Sequence, residues 1–241
     1  RRSYLDLYVA QVDARYRFAI QNFQRLLAQR NEILRRLRDG LAGREELSVW
    51  NQGYIERAVE VIFLRLQAMK CLSPLIVRYH QRISGGSEEI KLDYSLGGRI
   101  FADDDTDLRG YLQQELAARE REEIARGLTV VGPHRDDIAI GFASGHALRS
   151  FGSQGQQRTA ALAMKLAAVD FLSIRSGEEP IVLLDDVMSE FDDLRQHALL
   201  RFLLETKQTM ITATNQAEFR NAAGHFRTFH IERGRLLERA S

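Results

Sequence analysis

The apolar run Ile181-Val182-Leu183-Leu184 leads directly into Asp185-Asp186, after the turn-forming stretch Gly177-Glu178-Glu179-Pro180. Four apolar, mostly branched residues closed by two carboxylates read as a short buried parallel strand. Parallel strands of this kind live in sheets covered by helices, so the segment points to an α/β architecture. Ligands of open α/β sheets bind outside the carboxyl ends of the strands. Two adjacent acids at such an end repel unless a cation, a shared proton or a water network relieves them. A Mg²⁺-nucleotide site meets that need. From this window alone, a buried strand ending in a loop of solvated acids meets it as well.

The neighbouring segments agree with an α/β reading. After Gly127 short extended runs alternate with helical ones: 129–131, a strand over 138–142, a helix over 156–175 and the strand ending at Asp185. A helix over 194–207, a strand over 209–214 and a hairpin turning at Arg233-Gly234 complete the series. Alternating strand and helix implies a parallel or mixed sheet with helices packed on it.

The N-terminal part has a different texture. Leu5, Val9, Val12, Tyr16, Ala19, Phe23, Leu26, Ile33, Leu34 and Leu37 recur at three- and four-residue steps, which predicts one long amphipathic helix. Asp39-Gly40 ends it, and a second helix runs from about Glu45 to Ile83, kinked or broken at Pro74. Together they make an antiparallel hairpin over 4–84, an arm rather than a globule. Ser84-Gly85-Gly86-Ser87 punctuates the chain, and Ile90, Leu92, Tyr94 and Leu96 alternate as a strand. The acidic run Asp103–Asp107 lacks the Gly and distal Glu of an EF-hand and reads as the cap of a helix over 108–126. The domain division is therefore a helical arm or lobe over 1–127 and an α/β part over 128–241.

The formal net charge of +1 does not advertise nucleic acid, but the charges are unevenly placed. From Arg1 to Arg38 nine Arg face three acids, and the whole chain has only four Lys. Arg15, Arg25 and the cluster Arg35 to Arg38 are candidates for phosphate contact, with a solvated helix face as the plain alternative. No apolar run approaches the roughly 18 residues of a membrane span. The lone Cys71 excludes an internal disulfide and a cysteine-rich zinc site, which fits a reducing, cytoplasmic setting. Arg1-Arg2 in place of an initiator Met reads as an interior start, so a fragment of a longer protein is expected.

Upstream of the acidic strand, Phe151-Gly152-Ser153-Gln154-Gly155-Gln156-Gln157-Arg158 opens the helix that continues through Ala160 and Leu166. A Ser and a Gly there present a hydroxyl and backbone N–H groups at a positive dipole end, which is an anion site suited to phosphate. Taken alone, an ordinary Ser N-cap explains the same residues. The order of motifs adds to this: a Ser-x-Gly-Gln helix start, a strand ending Asp-Asp about thirty residues later, then Ser189-x-x-Asp192. This set resembles the C-terminal half of an ABC-type (SMC-like) P-loop ATPase head, here joined to an antiparallel helical arm domain. Ser153 to Gln156 resembles the signature motif, Ile181 to Asp185 Walker B, and Ser189 to Asp192 the D-loop. With Gly132-Pro133-His134-Arg135-Asp136-Asp137 and Leu183-Leu184-Asp185-Asp186-Val187-Met188-Ser189-Glu190, the chain resembles more narrowly the RecF family of bacterial recombination-mediator ATPases.

The resemblance implies specific roles. Two heads would sandwich ATP, with Ser153, Gly155 and Gln156 of one capping the γ-phosphate held by the other, and Asp192 shaping the seam. Asp185 would hold Mg²⁺ through water, and Asp186 would act as the catalytic base. Thr214 or Asn215 occupies the place where many relatives have a switch His, and Thr214 is taken as a nucleotide contact. The implied partners are DNA (single-stranded, duplex or junction), recombination mediators of the RecO/RecR type and a second copy bound in an ATP-dependent homodimer, with no membrane. The implied activity is a weak, DNA-stimulated ATPase in recombinational repair and replication-fork maintenance. No Gly-x-x-x-x-Gly-Lys-Ser/Thr phosphate loop occurs in these 241 residues, so the chain by itself is expected not to hydrolyse ATP. An SMC-like chromosome-organising head and a nucleotide-free helical scaffold are the alternatives. His134 and Arg135 remain open between phosphate contact and a structural ion pair with Asp136 or Asp137.

Overall fold

The computed structural model describes residues 2–101, 107–186, 188, 191–205, 208–214 and 227–238. Two helices, α1 (Arg2–Val12) and α2 (Ala14–Arg38), occupy the stretch that apolar periodicity assigns to one. The break falls at Asp13, whose backbone is extended and whose carboxylate accepts the Tyr16 N–H at 3.1 Å. Such an N-cap stabilises a fresh helix start by about 1 kcal/mol. Across the bend Arg17 Nε donates to Ala10 O at 2.9 Å. Periodicity misses the break because both helices keep their apolar stripe on the same core.

After a short loop α3 (Arg44–Ile83) returns along α2 to complete the hairpin. Of the kink or break expected at Pro74, the break does not occur: α3 is one helix through that residue. Pro74 and Lys70, whose carbonyl would otherwise bond the residue-74 amide, are both exposed, while Leu72, Ile76 and Tyr79 anchor the buried side. The hairpin is not free-standing. Helix α6 (Gln154–Ser176) packs along α3, and α1 also touches it, so one core runs from the hairpin into the α/β part. This explains why α3 is buried on more than the single face its stripe predicts.

The strand over 90–96 forms as expected. As β1 (Ile90–Leu96) it centres an antiparallel sheet between β2 (Arg99–Phe101) and β3 (Asp137–Phe142), with Tyr94 opposite both Phe101 and Ile138. Between β2 and β3, α4 (Leu108–Arg126) starts at Asp107, whose carboxylate accepts the Gly110 N–H at 2.9 Å. The rest of the acidic run, residues 103–106, lies outside the described residues. The extended run 129–131 joins no ladder, because side chains take its amides instead. Thr129 N donates to Asn31 Oδ1 and Val130 N to Glu123 Oε1, both at 2.8 Å.

A short turn of helix, α5 (Leu148–Phe151), leads into α6. Beyond α6, β4 (Val182–Asp185) pairs in parallel with β5 (Thr209–Thr212), and α7 (Asp193–Glu205) connects them. The hairpin β6 (Phe229–Glu232) and β7 (Arg235–Glu238) turns at Arg233-Gly234 as predicted. Strand β4 is not buried on both faces: Val182 is inside, but Leu183 is 70% exposed. Its apolar composition reflects the covering that a parallel strand calls for, and within this chain one face is uncovered. Among the described residues no helix is long and apolar enough to cross a membrane.

Candidate functional site

Two groups of residues gather the positions singled out by sequence. The first surrounds the start of α6. Ser153 is its N-cap: its Oγ accepts the Gln156 N–H at 3.2 Å, and its own N–H donates to Gln156 Oε1 at 2.7 Å. This reciprocal box sets the helix start firmly. The other end of the Gln156 amide, Nε2, donates to Glu88 Oε1 at 2.9 Å, which ties the turn to the segment after the hairpin. The plain N-cap reading of Ser153 is thus realised, and it coexists with the anion reading. The N–H groups of Gln154 and Gly155 stand at the positive end of a 23-residue helix.

Asp192 joins this group through a residue that sequence reading missed. Asp192 Oδ1 accepts the Arg195 N–H at 3.0 Å as the cap of α7, and its Oδ2 is ion-paired with the Arg195 guanidinium. Arg195 Nε also donates to Thr159 Oγ1 at 2.6 Å, and Thr159 in turn donates to Gly155 O at 2.8 Å. An acid three residues before an Arg at a helix start is the available sequence signal, but nothing in the sequence says that the Arg reaches back to α6. Ser189 of the same motif lies outside the described residues.

The second group is at the carboxyl end of β4. Asp185 Oδ1 accepts the Thr212 hydroxyl at 2.5 Å, and register places Thr212 opposite Asp185 on β5. The Asp186 N–H reaches both Thr212 O and Thr212 Oγ1 at 3.1 Å. Asp186 itself has left-handed backbone (φ 46°), which Asp tolerates better than most residues. That turns the chain sharply as it leaves the strand. Thr212, a residue that sequence reading did not single out, therefore supplies a hydroxyl to Asp185. Thr214 is exposed two residues beyond β5, and Asn215 lies outside the described residues. Both Asp185 and Asp186 are exposed. Among the described residues no three His, Cys, Asp or Glu side chains form a metal cluster. A hard carboxylate with a hydroxyl beside it suits Mg²⁺, which commonly keeps several waters and binds through one or two carboxylates plus phosphate oxygens.

The segment 132–137 belongs to neither group. His134 donates from Nε2 to Thr129 O (2.9 Å) and lies against Phe23. Burial pushes its ring down to about 4, with Arg135, Arg2 and Arg30 adding to the effect against the Thr129 bond. Asp136 is paired with neither expected neighbour. Arg65 Nη1 donates to both its oxygens at 2.7 and 2.6 Å, and the Tyr94 hydroxyl donates to it too. Arg135 is exposed. Gly132 is left-handed (φ 129°), and a Cβ there would come within 2.1 Å of Tyr54 Oη. The segment is thus a structural joint between hairpin and β3. On α2, Arg35, Arg36 and Arg38 form surface ion pairs with Glu32, Glu46 and Asp39, while Arg15 and Arg25 are exposed.

No family profile matches the chain. It is 38% identical to the DNA replication and repair protein RecF of Halothermothrix orenii, covering 89% of this chain and 58% of that protein. It is also 38% identical to the protein of the same name from Bacillus velezensis, covering 99% and 65%. Two solved structures, described as RecF-ATPrS and RecF-ATP of the recombination mediator protein in the RecFOR pathway, superpose on the whole chain with TM-scores of 0.81 at 28% identity. The chain spans about three fifths of the length of the curated relatives it matches.

Proposed function

Because this chain belongs to the RecF family, we propose that it is the C-terminal part of an ATP-dependent DNA-binding protein of recombinational repair and replication-fork maintenance. The observation that carries the reading is the joint placement of two motifs. A boxed Ser153 opens α6 with Asp192 held to its first turns, and an Asp185-Asp186 pair ends β4 beside Thr212. Similarity to structures described with ATP supports ATP as the ligand.

In this proposal Ser153, Gly155 and Gln156 present hydroxyl and N–H donors to the γ-phosphate held by a second copy, with Asp192 at the seam. Asp185 would hold Mg²⁺ through water, which supplies charge neutralisation on the phosphates. The Asp186 carboxylate orients and deprotonates the attacking water, and Thr214 contributes a hydroxyl near the phosphates. The 241-residue chain alone is inactive in this reading, and the full-length protein is a weak, DNA-stimulated ATPase. DNA contact is phosphate-directed, so it weakens steeply with salt. Partners are a second copy of the chain and mediator proteins of the RecO/RecR type, in the cytoplasm. Residues 1–127 form the helical lobe, and 128–241 the C-terminal part of the head.

A mixing experiment tests this reading. In the full-length protein Ser153→Arg abolishes ATP-driven dimers, because a bulky side chain fills the seam. Mixing it with a phosphate-loop Lys variant restores one composite site per heterodimer and hence partial dimerisation, read as mass by sedimentation. Normal dimers of Ser153→Arg with ATP defeat the trans-acting role.

A further inference from the structure

Arg195 makes contacts beyond those a helix cap needs. Its N–H to Asp192 Oδ1 completes the cap of α7, and its side chain in addition bridges the other oxygen of Asp192 to a hydroxyl on α6. The guanidinium pairs with Asp192 Oδ2 and donates from Nε to Thr159 Oγ1 on α6 at 2.6 Å. Thr159 is fully buried, and its hydroxyl is used on both sides: it accepts from Arg195 and donates to Gly155 O. The guanidinium lies so near Gly155 that a Cβ there would stand 3.4 Å from Nη2. A planar fork with fixed donor directions can span two acceptors at once, which a Lys ammonium on a flexible stem does poorly. The Arg195 side chain is 17% exposed, whereas Asp192 is 55% exposed. The linking cation is inside and the acid it fixes is at the surface.

We propose that Arg195 is a positioning residue for ATP-dependent pairing of two copies, fastening the Asp192 end of α7 to the first two turns of α6. This rests on the trans-acting role proposed above for Ser153 and Gly155. Gly155 and Asp192 are separated by 36 residues of chain that include all of β4, so nothing local holds them in register. Arg195 makes one rigid edge of them, and a partner's nucleotide meets both or neither. It touches no reacting atom and acts through Thr159 and Asp192.

The test compares Arg195→Gln, Arg195→Lys and Ser153→Arg in the full-length protein, measuring ATP-driven dimer dissociation by sedimentation and the thermal midpoint without nucleotide. Arg195→Gln is expected to weaken the dimer by at least about tenfold, the scale of one charge-assisted bond. Its thermal midpoint should move by no more than about 3 °C. Arg195→Lys should fall between Gln and parent, because it keeps the charge at Asp192 and loses the fork to Thr159. The inference is overturned if Arg195→Gln dimerises within about twofold of parent while Ser153→Arg does not. It is equally overturned if Gln and Lys variants lose dimers alike and in step with their thermal midpoints, since that marks a purely structural residue. Should Ser153→Arg itself dimerise normally, the underlying reading fails and this one with it.

Discussion

The molecule treats charge in two opposite ways. Where the hairpin meets the 129–137 segment, Arg30 and Arg65 are each 1% exposed and fully engaged. Arg30 reaches Asn51, Thr129 and Glu123 at 2.9, 2.7 and 2.6 Å. Arg65 reaches Tyr16, Pro133 O, Asp136 and Asp6 within 2.9 Å. At the end of β4 the two carboxylates are exposed, and the apolar side chains around them, Leu183 and Met210, are 70% and 58% exposed. A buried charge that never changes partner must be neutralised in place, because desolvation costs several kcal/mol per ion. A site that exchanges a charged ligand must instead keep its acids reachable. The joint is therefore self-contained, and the strand end depends on what comes to it.

The sharpest way to break this contrast is to remove one acid from each region. Asp136→Ala leaves the buried Arg65 with Asp6 as its one remaining carboxylate, beside Tyr16 and the Pro133 carbonyl, and should cost about 3 kcal/mol or more of stability. Asp185→Ala should change stability by less than about 0.5 kcal/mol, as exposed positions ordinarily do. Urea denaturation of the full-length protein measures both, and similar losses would erase the distinction.

Acid titration gives the next largest effect. His134 is held down to about 4 in the fold, against about 6.5 unfolded. The unfolded chain thus binds the extra proton between these values, so this residue costs nothing above pH 6.5. Stability then falls as pH drops from about 6.5 to 4, by up to about 3 kcal/mol from this group, and levels off below. Buried His80 is lowered by desolvation as well and acts in the same direction. His134→Gln should flatten the slope of stability against pH over that window. An unchanged slope would show that the ring is not buried neutral.

The smallest effect tests how finely the joint is satisfied. Tyr54→Phe deletes the hydroxyl that donates to Val131 O at 2.6 Å and leaves that carbonyl short of a buried donor. A loss of about 1–2 kcal/mol is expected in the same denaturation measurement. A neutral outcome would mean that the segment around Gly132 relaxes onto another donor.

Much of the fold was legible because periodicity and punctuation report on local geometry. The strand over 90–96, the helix over 108–126 closed by Gly127 and the terminal hairpin turn at Arg233-Gly234 all form where spacing and turn residues place them. The break at Asp13 was hidden because an N-cap interrupts the backbone without interrupting the apolar stripe. The expected strand over 129–131 fails for a non-local reason: Asn31 and Glu123 supply the acceptors that a neighbouring strand would have offered.

The candidate site divides along the same line. Ser153 as a helix start and Asp185-Asp186 as a strand end follow from a few adjacent residues, since capping preference and branched apolar runs act over one turn or one strand. Thr212 as the hydroxyl on Asp185, Glu88 on the Gln156 amide and Arg195 between Thr159 and Asp192 do not. Nor does the assignment of Arg65, 71 residues away, as the partner of Asp136. The sequence by itself determined which segments become helices and strands and which motifs sit at their ends, because those preferences are settled among neighbours along the chain. Only the tertiary structure decided which polar groups meet, because a hydrogen bond is chosen by distance and desolvation across packed elements, and sequence separation carries no information about either.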